Sequence, residues 1–316
     1  MIVTLTPNPS VDRTISVTEL RHGEVNRATD SRIDPGGKAI NVARALTANG
    51  SDAVAVLPTG GPEGRLMEAL LGRSGTAYTA VPITGTTRMN VAVIEPDGTT
   101  TKVNEPGPTL AADELEALLA AVDSHLADGA QWLVGSGSLT PGLGEDFYAT
   151  LVRRGHAVGA KVAIDTSGPS MAAAVSAHPD LIKPNHEELE ELVGAPMRTL
   201  GDVVAAAQRL VAGGIATVVV SLGKHGAIAV SSEGVFQASG HVARPVSTVG
   251  AGDSLLAGFL HAVCRDTGTA EALATGVAWG SAAVSLPGSR MPTPEDVAAI
   301  AVTSSTEIDL SLSLTD

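Results

Sequence analysis

The chain predicts an α/β fold in which a mostly parallel sheet is covered by helices on both faces. Short β-branched runs alternate with Ala/Leu-rich amphipathic stretches almost to the C-terminus, and that alternation implies right-handed crossovers between parallel strands. Two segments, Val11–Asp34 and Thr86–Glu105, break the rhythm and read as β-hairpins. No low-complexity tract, 20–50-residue repeat or linker divides the 316 residues, so one large domain with an inserted elaboration is expected.

The predicted strands are Ile2–Thr6, Ala53–Leu57, Trp132–Gly135, Lys161–Asp165, Leu181–Lys183, Thr217–Ser221 and Ala227–Ser231. Between them lie helical windows at Ile40–Ala48, Gly64–Leu71, Ala111–Ala127, Gly144–Arg154, Glu187–Val193 and Val203–Ala212. The second hairpin turns at Glu95-Pro96-Asp97-Gly98-Thr99, where proline fixes φ, aspartate offers an Asx bond and glycine permits positive φ. Four strands without helices of their own are expected to form a small sheet, either a lid or an ordinary antiparallel extension. Ile308, Leu310, Leu312 and Leu314 alternate with polar residues, which predicts an added edge strand or a frayed tail.

Composition narrows the function. The chain carries 20 Lys+Arg against 34 Asp+Glu, a formal charge of −14, which makes it a poor partner for nucleic acid or an anionic membrane surface. An acidic protein that handled an anionic substrate would have to gather its few cations at one spot. Cys264 stands alone, so neither an intrachain disulfide nor a cysteine metal site is available. The start of the chain lacks a basic, apolar leader and no apolar run reaches membrane length, so a soluble, cytoplasmic protein is expected.

Glycine-rich turns carry the candidate chemistry. Thr248-Val249-Gly250-Ala251-Gly252-Asp253 opens the helical run Leu255–Val263, and a helix N-terminus presents bare N–H groups to an anion. Asp253 then either caps the helix or faces a substrate hydroxyl while Gly250, Ala251 and Gly252 hold a phosphoryl group. Gly36-Gly37-Lys38 precedes another helix, with Lys38 and Asn41 three residues apart on one face, as a polyol or phosphate site or as a plain surface loop. Ser221-Leu222-Gly223-Lys224-His225-Gly226 is a ligand-facing turn or a tight β-turn. Asn185 and Glu188 are spaced to organise Mg²⁺ through water, or to form a capping box. Neither a P-loop, a dinucleotide fingerprint, a Gly-x-Ser-x-Gly elbow nor metal-spaced histidine is present.

These strings, in order, resemble the ribokinase-like carbohydrate kinases and, within them, the 1-phosphofructokinase and tagatose-6-phosphate kinase branch. The resemblance rests on Thr6-Pro7-Asn8-Pro9-Ser10-Val11-Asp12, Gly36-Gly37-Lys38-Ala39-Ile40-Asn41, Thr87-Arg88-Met89-Asn90 and Gly135-Ser136-Gly137-Ser138-Leu139. It continues through Asp165-Thr166-Ser167-Gly168, Lys183-Pro184-Asn185, Ser221-Leu222-Gly223 and Gly250-Ala251-Gly252-Asp253, and His22-Gly23-Glu24-Val25-Asn26-Arg27 points to the 1-phosphofructokinase branch. It implies a three-layer α/β/α domain over residues 1–316 with a β lid at about 11–34 and 86–105, paired into a homodimer through the lid. The implied reaction is ATP- and Mg²⁺-dependent phosphorylation of a ketohexose phosphate, foremost fructose 1-phosphate, with tagatose 6-phosphate or fructose 6-phosphate as alternatives. A non-catalytic sensor of the same ligands is the reading from another class.

By the same resemblance, Asp253 deprotonates the sugar hydroxyl and Gly250, Ala251 and Gly252 form the anion hole. Asp12, Gly37, Lys38 and Asn41 would hold the sugar, with Gly36, Asn90 and Ser138 also binding substrate, Arg88 and Lys38 near its phosphate, and Arg27, on the lid, reaching the same phosphate within one chain or across a dimer. Lys183, Asn185, Ser221, Gly223, Lys224, Gly226 and Thr248 would line the nucleotide site, and Asn185 and Glu188 would reach Mg²⁺ through water. Three residues depart from the family pattern: Ala39 for a usual glycine, Thr140 for a common proline, and Glu105 near the lid.

Overall fold

The structure, a computed structural model, describes residues 1–314. The chain opens with β1 (Ile2–Leu5), followed by β2 (Ser10–Ser16), β3 (Asp30–Gly36), α1 (Lys38–Ala48) and β4 (Ala53–Thr59). Next come α2 (Gly61–Arg73), β5 (Ala77–Pro82), β6 (Arg88–Ile94), β7 (Thr100–Asn104) and α3 (Ala112–Ala127). The alternation continues through β8 (Trp132–Ser136), α4 (Phe147–Ala157), β9 (Lys161–Asp165), α5 (Gly168–Val175), β10 (Leu181–Ile182), α6 (His186–Val193), α7 (Leu200–Ala212) and β11 (Thr217–Ser221). Then β12 (Ala227–Ser231), β13 (Gly234–Gly240), α8 (Ala251–Val263), α9 (Thr269–Val284), α10 (Pro294–Ala298) and β14 (Val302–Ser305) close the described chain.

A ten-stranded sheet has the order β14-β13-β12-β11-β10-β9-β8-β1-β4-β5. From β5 to β11 its neighbours are parallel, and β12, β13 and β14 extend it antiparallel. β1, β4 and β8 are buried along their whole length, as expected of strands covered on both faces. Alternate side chains serve opposite layers: Val3, Leu133, Val162 and Val218 pack with Leu118, Leu151 and Val203. Ile2, Val134, Ala163 and Val219 pack instead with Leu46, Leu255, Phe259 and Val277 on the other side. That division makes three layers, α/β/α, from a period of two.

The two hairpins do pair. β2 and β3 run antiparallel, as do β6 and β7, while β2 lies parallel to β6, giving a separate sheet ordered β3-β2-β6-β7. The C-terminal expectation is corrected. The added edge strand is Val302–Ser305, on β13, whereas residues 308–314 lie along the start of α7. Leu200 and Gly201 donate their N–H groups to the carbonyls of Leu312 and Leu310, and Ile308, Leu312 and Leu314 pack on the core. The alternation there reflects a cover for α7, not a sheet ladder. Among the described residues no helix is long and apolar enough to cross a membrane.

Candidate active site

The carboxyl ends of parallel strands open onto one crevice, where such sheets bind ligands. β1 leads to Asn8, β2 of the small sheet starts with Ser10 and Asp12, β8 leads to Ser138, β9 ends on Asp165, β10 leads to Lys183 and Asn185, and β11 to Ser221 and Gly226. α8 points its N-terminus at the same place.

At that N-terminus Gly250 is the cap residue with φ 78°, a left-handed conformation that suits glycine, and no side chain caps the helix. The Ala251 N–H meets the Thr248 carbonyl at 3.3 Å, while those of Gly252 and Asp253 have no helical acceptor and can bind an anion. Asp253 is therefore not the cap. It is only 7% exposed, and its Oδ2 accepts from Asn41 Nδ2 at 2.8 Å. Burial, chiefly, and the nearby Asp165 charge push its carboxyl up to about 6, against the pull of Asn41, Lys38 and Lys183.

Asp165 is the hub of the cationic side of the site. Fully buried, it accepts from Lys38 Nζ at 3.0 Å and faces Lys183 Nζ at 3.3 Å. Burial pushes its carboxyl up, but the two ammonium groups outweigh burial and hold it below the ordinary range. Asp165 in turn raises Lys38 above the usual lysine range, so that side chain stays charged. A Cβ placed on Gly252 would stand 3.2 Å from Lys183 Nζ, which sets that ammonium against the candidate anion hole. Sequence reasoning quoted the Asp165 motif without giving the residue a role. The signal was available: two lysines aimed at one crevice need a buried counter-charge.

On the sugar side, Asn90 Nδ2 donates to Asp12 Oδ1 at 3.1 Å and to Ser10 Oγ at 3.0 Å, and Ser10 Oγ donates to Asp12 at 2.7 Å. Burial raises the Asp12 carboxyl despite these bonds. Gly36 packs tightly beside it: a Cβ there would sit 2.3 Å from the carboxyl carbon and would displace the Asp12 side chain. Arg88 donates to the Glu105 carbonyl at 2.9 Å, the Asn8 carbonyl at 3.0 Å and Ser138 Oγ at 3.3 Å, so its guanidinium is held at the end of the small sheet.

The departures from the family pattern resolve locally. Glu105 turns its carboxylate to the Met89 N–H at 2.9 Å, tying the end of β7 to the start of β6. Ala39 and Thr140 are buried. Arg27 is exposed in the β2–β3 connection, and neither it nor Gly36, Gly37, Lys38, Asn41, Arg88 or Ser138 lines either cavity described below.

Two cavities flank the α8 N-terminus. One, of about 500 Å³, is lined by Ser221, Gly223, Lys224, Gly226 and Thr248, with Ala251 and Gly252, whereas Lys183 and Asn185, also expected at the nucleotide, do not line it. Val242, Pro245, Leu255, Val277 and Val284 give it aliphatic walls in a chain with few aromatics. Gly226 has φ 80°, and a Cβ on it would lie 2.1 Å from the Ala238 carbonyl, so backbone packs directly on backbone at this wall. The other cavity, of about 650 Å³, lies between the small sheet, including Asp12, Asn90 and Lys102, and residues 245–249 and 287–289. Pro245 and Thr248 line both, so the cavities meet beside Gly250–Gly252.

Asn185 and Glu188 form the capping box of α6. Asn185 Oδ1 accepts from the Glu188 N–H at 2.7 Å, and Glu188 Oε2 accepts from the Asn185 N–H at 2.9 Å. The other Glu188 oxygen lies 3.4 Å from Lys38 Nζ, inside the crevice. Among the described residues no three His, Cys, Asp or Glu side chains converge as a metal cage. The donor set instead suits a hard cation that keeps its waters and arrives on phosphate oxygens.

Residues 6–296 match the pfkB family carbohydrate kinase profile. A 1-phosphofructokinase of Rhodobacter capsulatus is 35% identical over 303 residues, 96% of each chain. An ATP-dependent 6-phosphofructokinase isozyme 2 of Mycobacterium tuberculosis is 35% identical over 94% of this chain and 87% of its own. Among solved structures, Phosphofructokinase-2 of Escherichia coli in complex with potassium superposes with a TM-score of 0.87 at 34% identity, over 94% of this chain and 96% of that one.

Proposed function

The chain belongs to the pfkB family of carbohydrate kinases, and from that premise we propose that it transfers the γ-phosphoryl group of ATP to fructose 1-phosphate, forming fructose 1,6-bisphosphate. The observation that carries this reading is the meeting of the two cavities at the α8 N-terminus, with buried Asp253 in its first turn. One cavity takes the nucleotide against its aliphatic walls; the other takes the sugar beneath the lid. The whole chain acts as one kinase domain, with the segments near 11–34 and 86–105 as its lid.

Asp12, Gly36, Gly37, Asn41 and Asn90 hold the sugar, while Arg88, Ser138 and Lys38 face its phosphate. Asp253 orients the acceptor hydroxyl and receives its proton, and the amides of Gly250–Gly252, with Lys183, stabilise the charge on the transferring group. Phosphoryl transfer is mostly positioning and charge stabilisation, so a carboxylate near 6 is basic enough. Asn185 and Glu188 would hold a Mg²⁺ ion through water, and that ion would neutralise charge on the ATP phosphates. Two copies paired through the lid would bring Arg27 to the partner's sugar phosphate. A cytoplasmic setting, where ATP is plentiful, fits this reading.

The similarity to a 6-phosphofructokinase isozyme keeps fructose 6-phosphate, and tagatose 6-phosphate with it, as the second reading. A sensor is disfavoured by Asp253, whose buried charge would only repel a phosphate ligand. ADP release on fructose 1-phosphate, tagatose 6-phosphate and fructose 6-phosphate tests the proposal. Turnover highest on fructose 1-phosphate supports it; turnover on tagatose 6-phosphate alone makes the substrate assignment wrong; no ADP from any of them ends the kinase reading.

A further inference from the structure

Asn41 touches Asp253, and the group that fixes Asn41 lies outside both cavities. A carboxamide is nearly symmetrical in shape, so its ends can exchange unless a neighbour distinguishes oxygen from nitrogen. Arg44, three residues on along the same face of α1, does so: its Nη1 donates to Asn41 Oδ1 at 3.1 Å. A guanidinium carries donors only, so the amide must turn its oxygen to Arg44 and its NH₂ to Asp253. The Arg44 Nη1 also meets the carbonyls of Ser289 at 3.1 Å and Pro35 at 3.4 Å. Burial, first, works against the Arg44 charge, Asp34 and Asp12 favour it and Arg32 opposes it, while Asp253 is faced by Asp165 of β9, Lys38 of α1 and Lys183 after β10.

We infer that Arg44 is a positioning residue for phosphoryl transfer: by holding the Asn41 oxygen it obliges the amide to donate to Asp253, which keeps that carboxylate oriented and ionised. The inference rests on the kinase reading above and names a group that touches neither substrate. Without Arg44 the amide can turn over and set its oxygen against Asp253. That contact repels the carboxylate and favours the protonated acid, which donates its O–H to the amide oxygen and cannot take a proton from the sugar. The nucleotide cavity is untouched.

Arg44→Met keeps most of the stem and removes the donors, and Arg44→Lys restores a cation. The assay reads kcat, both KM values and the pH dependence of kcat with fructose 1-phosphate. For Arg44→Met, kcat should fall about tenfold to a hundredfold, the scale of one hydrogen bond to a charged group. KM for ATP should stay within about twofold, and the acid limb of kcat should move to higher pH. Arg44→Lys should recover part of kcat and return the limb towards wild type. In an Asn41→Ala background the same Arg44 changes should cost little more, because the effect passes through Asn41.

A fall in kcat with an unmoved limb would mean that Arg44 only holds the Ser289 turn, and would overturn the inference. Full additivity with Asn41→Ala would do the same. If Arg44→Met does not fold, Arg44→Lys and the cycle built on it decide by these criteria. A wild-type protein that releases no ADP sinks the kinase reading first, whereas an active wild type with unaltered Arg44 variants sinks this inference alone.

Discussion

Asp253 should cost the folded protein stability at the pH where its carboxylate is useful. Burial, first, and the Asp165 charge lift its carboxyl from an ordinary 3.8 to about 6, so the folded state binds this proton more tightly than the unfolded chain does. The stability contributed by the neutral acid is complete below the unfolded value of 3.8 and is lost as pH rises through about 6. The distance between those values corresponds to about 3 kcal/mol, and near pH 5 roughly half of that is already gone. Asp253→Asn is neutral throughout, similar in shape, and still offers Asn41 an acceptor. Chemical denaturation near pH 8 should therefore find the variant more stable than wild type by up to about 3 kcal/mol, with the margin narrowing by about 1.5 kcal/mol near pH 5. A difference that stays flat across this range, or a variant less stable near pH 8, would refute the reasoning.

Other substitutions probe the remaining parts of the site. Asp165→Asn leaves Lys183, whose side chain is 4% exposed, without its counter-charge, and urea unfolding should show a loss of about 3–5 kcal/mol. A loss under about 1 kcal/mol would deny Asp165 its role as hub. Gly226→Ala drives a methyl towards the Ala238 carbonyl at the nucleotide wall, so KM for ATP should rise more than KM for the sugar phosphate; equal increases would place the turn elsewhere. Arg88→Ala should raise KM for the sugar phosphate about tenfold to a hundredfold, the scale of a charge-assisted bond, and leave KM for ATP nearly unchanged. Parallel changes in both would remove Arg88 from the phosphate.

The parallel core was legible because strands buried on both faces read as continuous apolar runs, as in Val218-Val219-Val220. α9 escaped because nine of its residues are buried, from Thr269 to Ala283, many of them Ala or Gly, which leaves no clear polar stripe. Residues 308–314 misled because a period of two fits any extended segment with one covered face, in a sheet or not. Within the site, the glycine turns announced themselves through local backbone demands. Asp165, Arg44 and the division of labour at Glu188 did not. They depend on partners 127, 245 and 150 residues away in sequence, for the bonds to Lys38, the Ser289 carbonyl and Lys38 respectively. The choice between cap and catalytic group shows the same limit: Asn185 caps its helix while Asp253, equally suited by type, does not.

The central claim is that Asp253, in the first turn of α8, takes the proton of the sugar hydroxyl as the phosphoryl group crosses. Single-turnover transfer from ATP to fructose 1-phosphate by Asp253→Asn measures this step apart from binding and product release. The account predicts a fall of about a hundredfold to ten-thousandfold, the range of a lost general base, with both substrates still bound at near wild-type concentrations. A variant that transfers the phosphoryl group within about tenfold of the wild-type rate would contradict it.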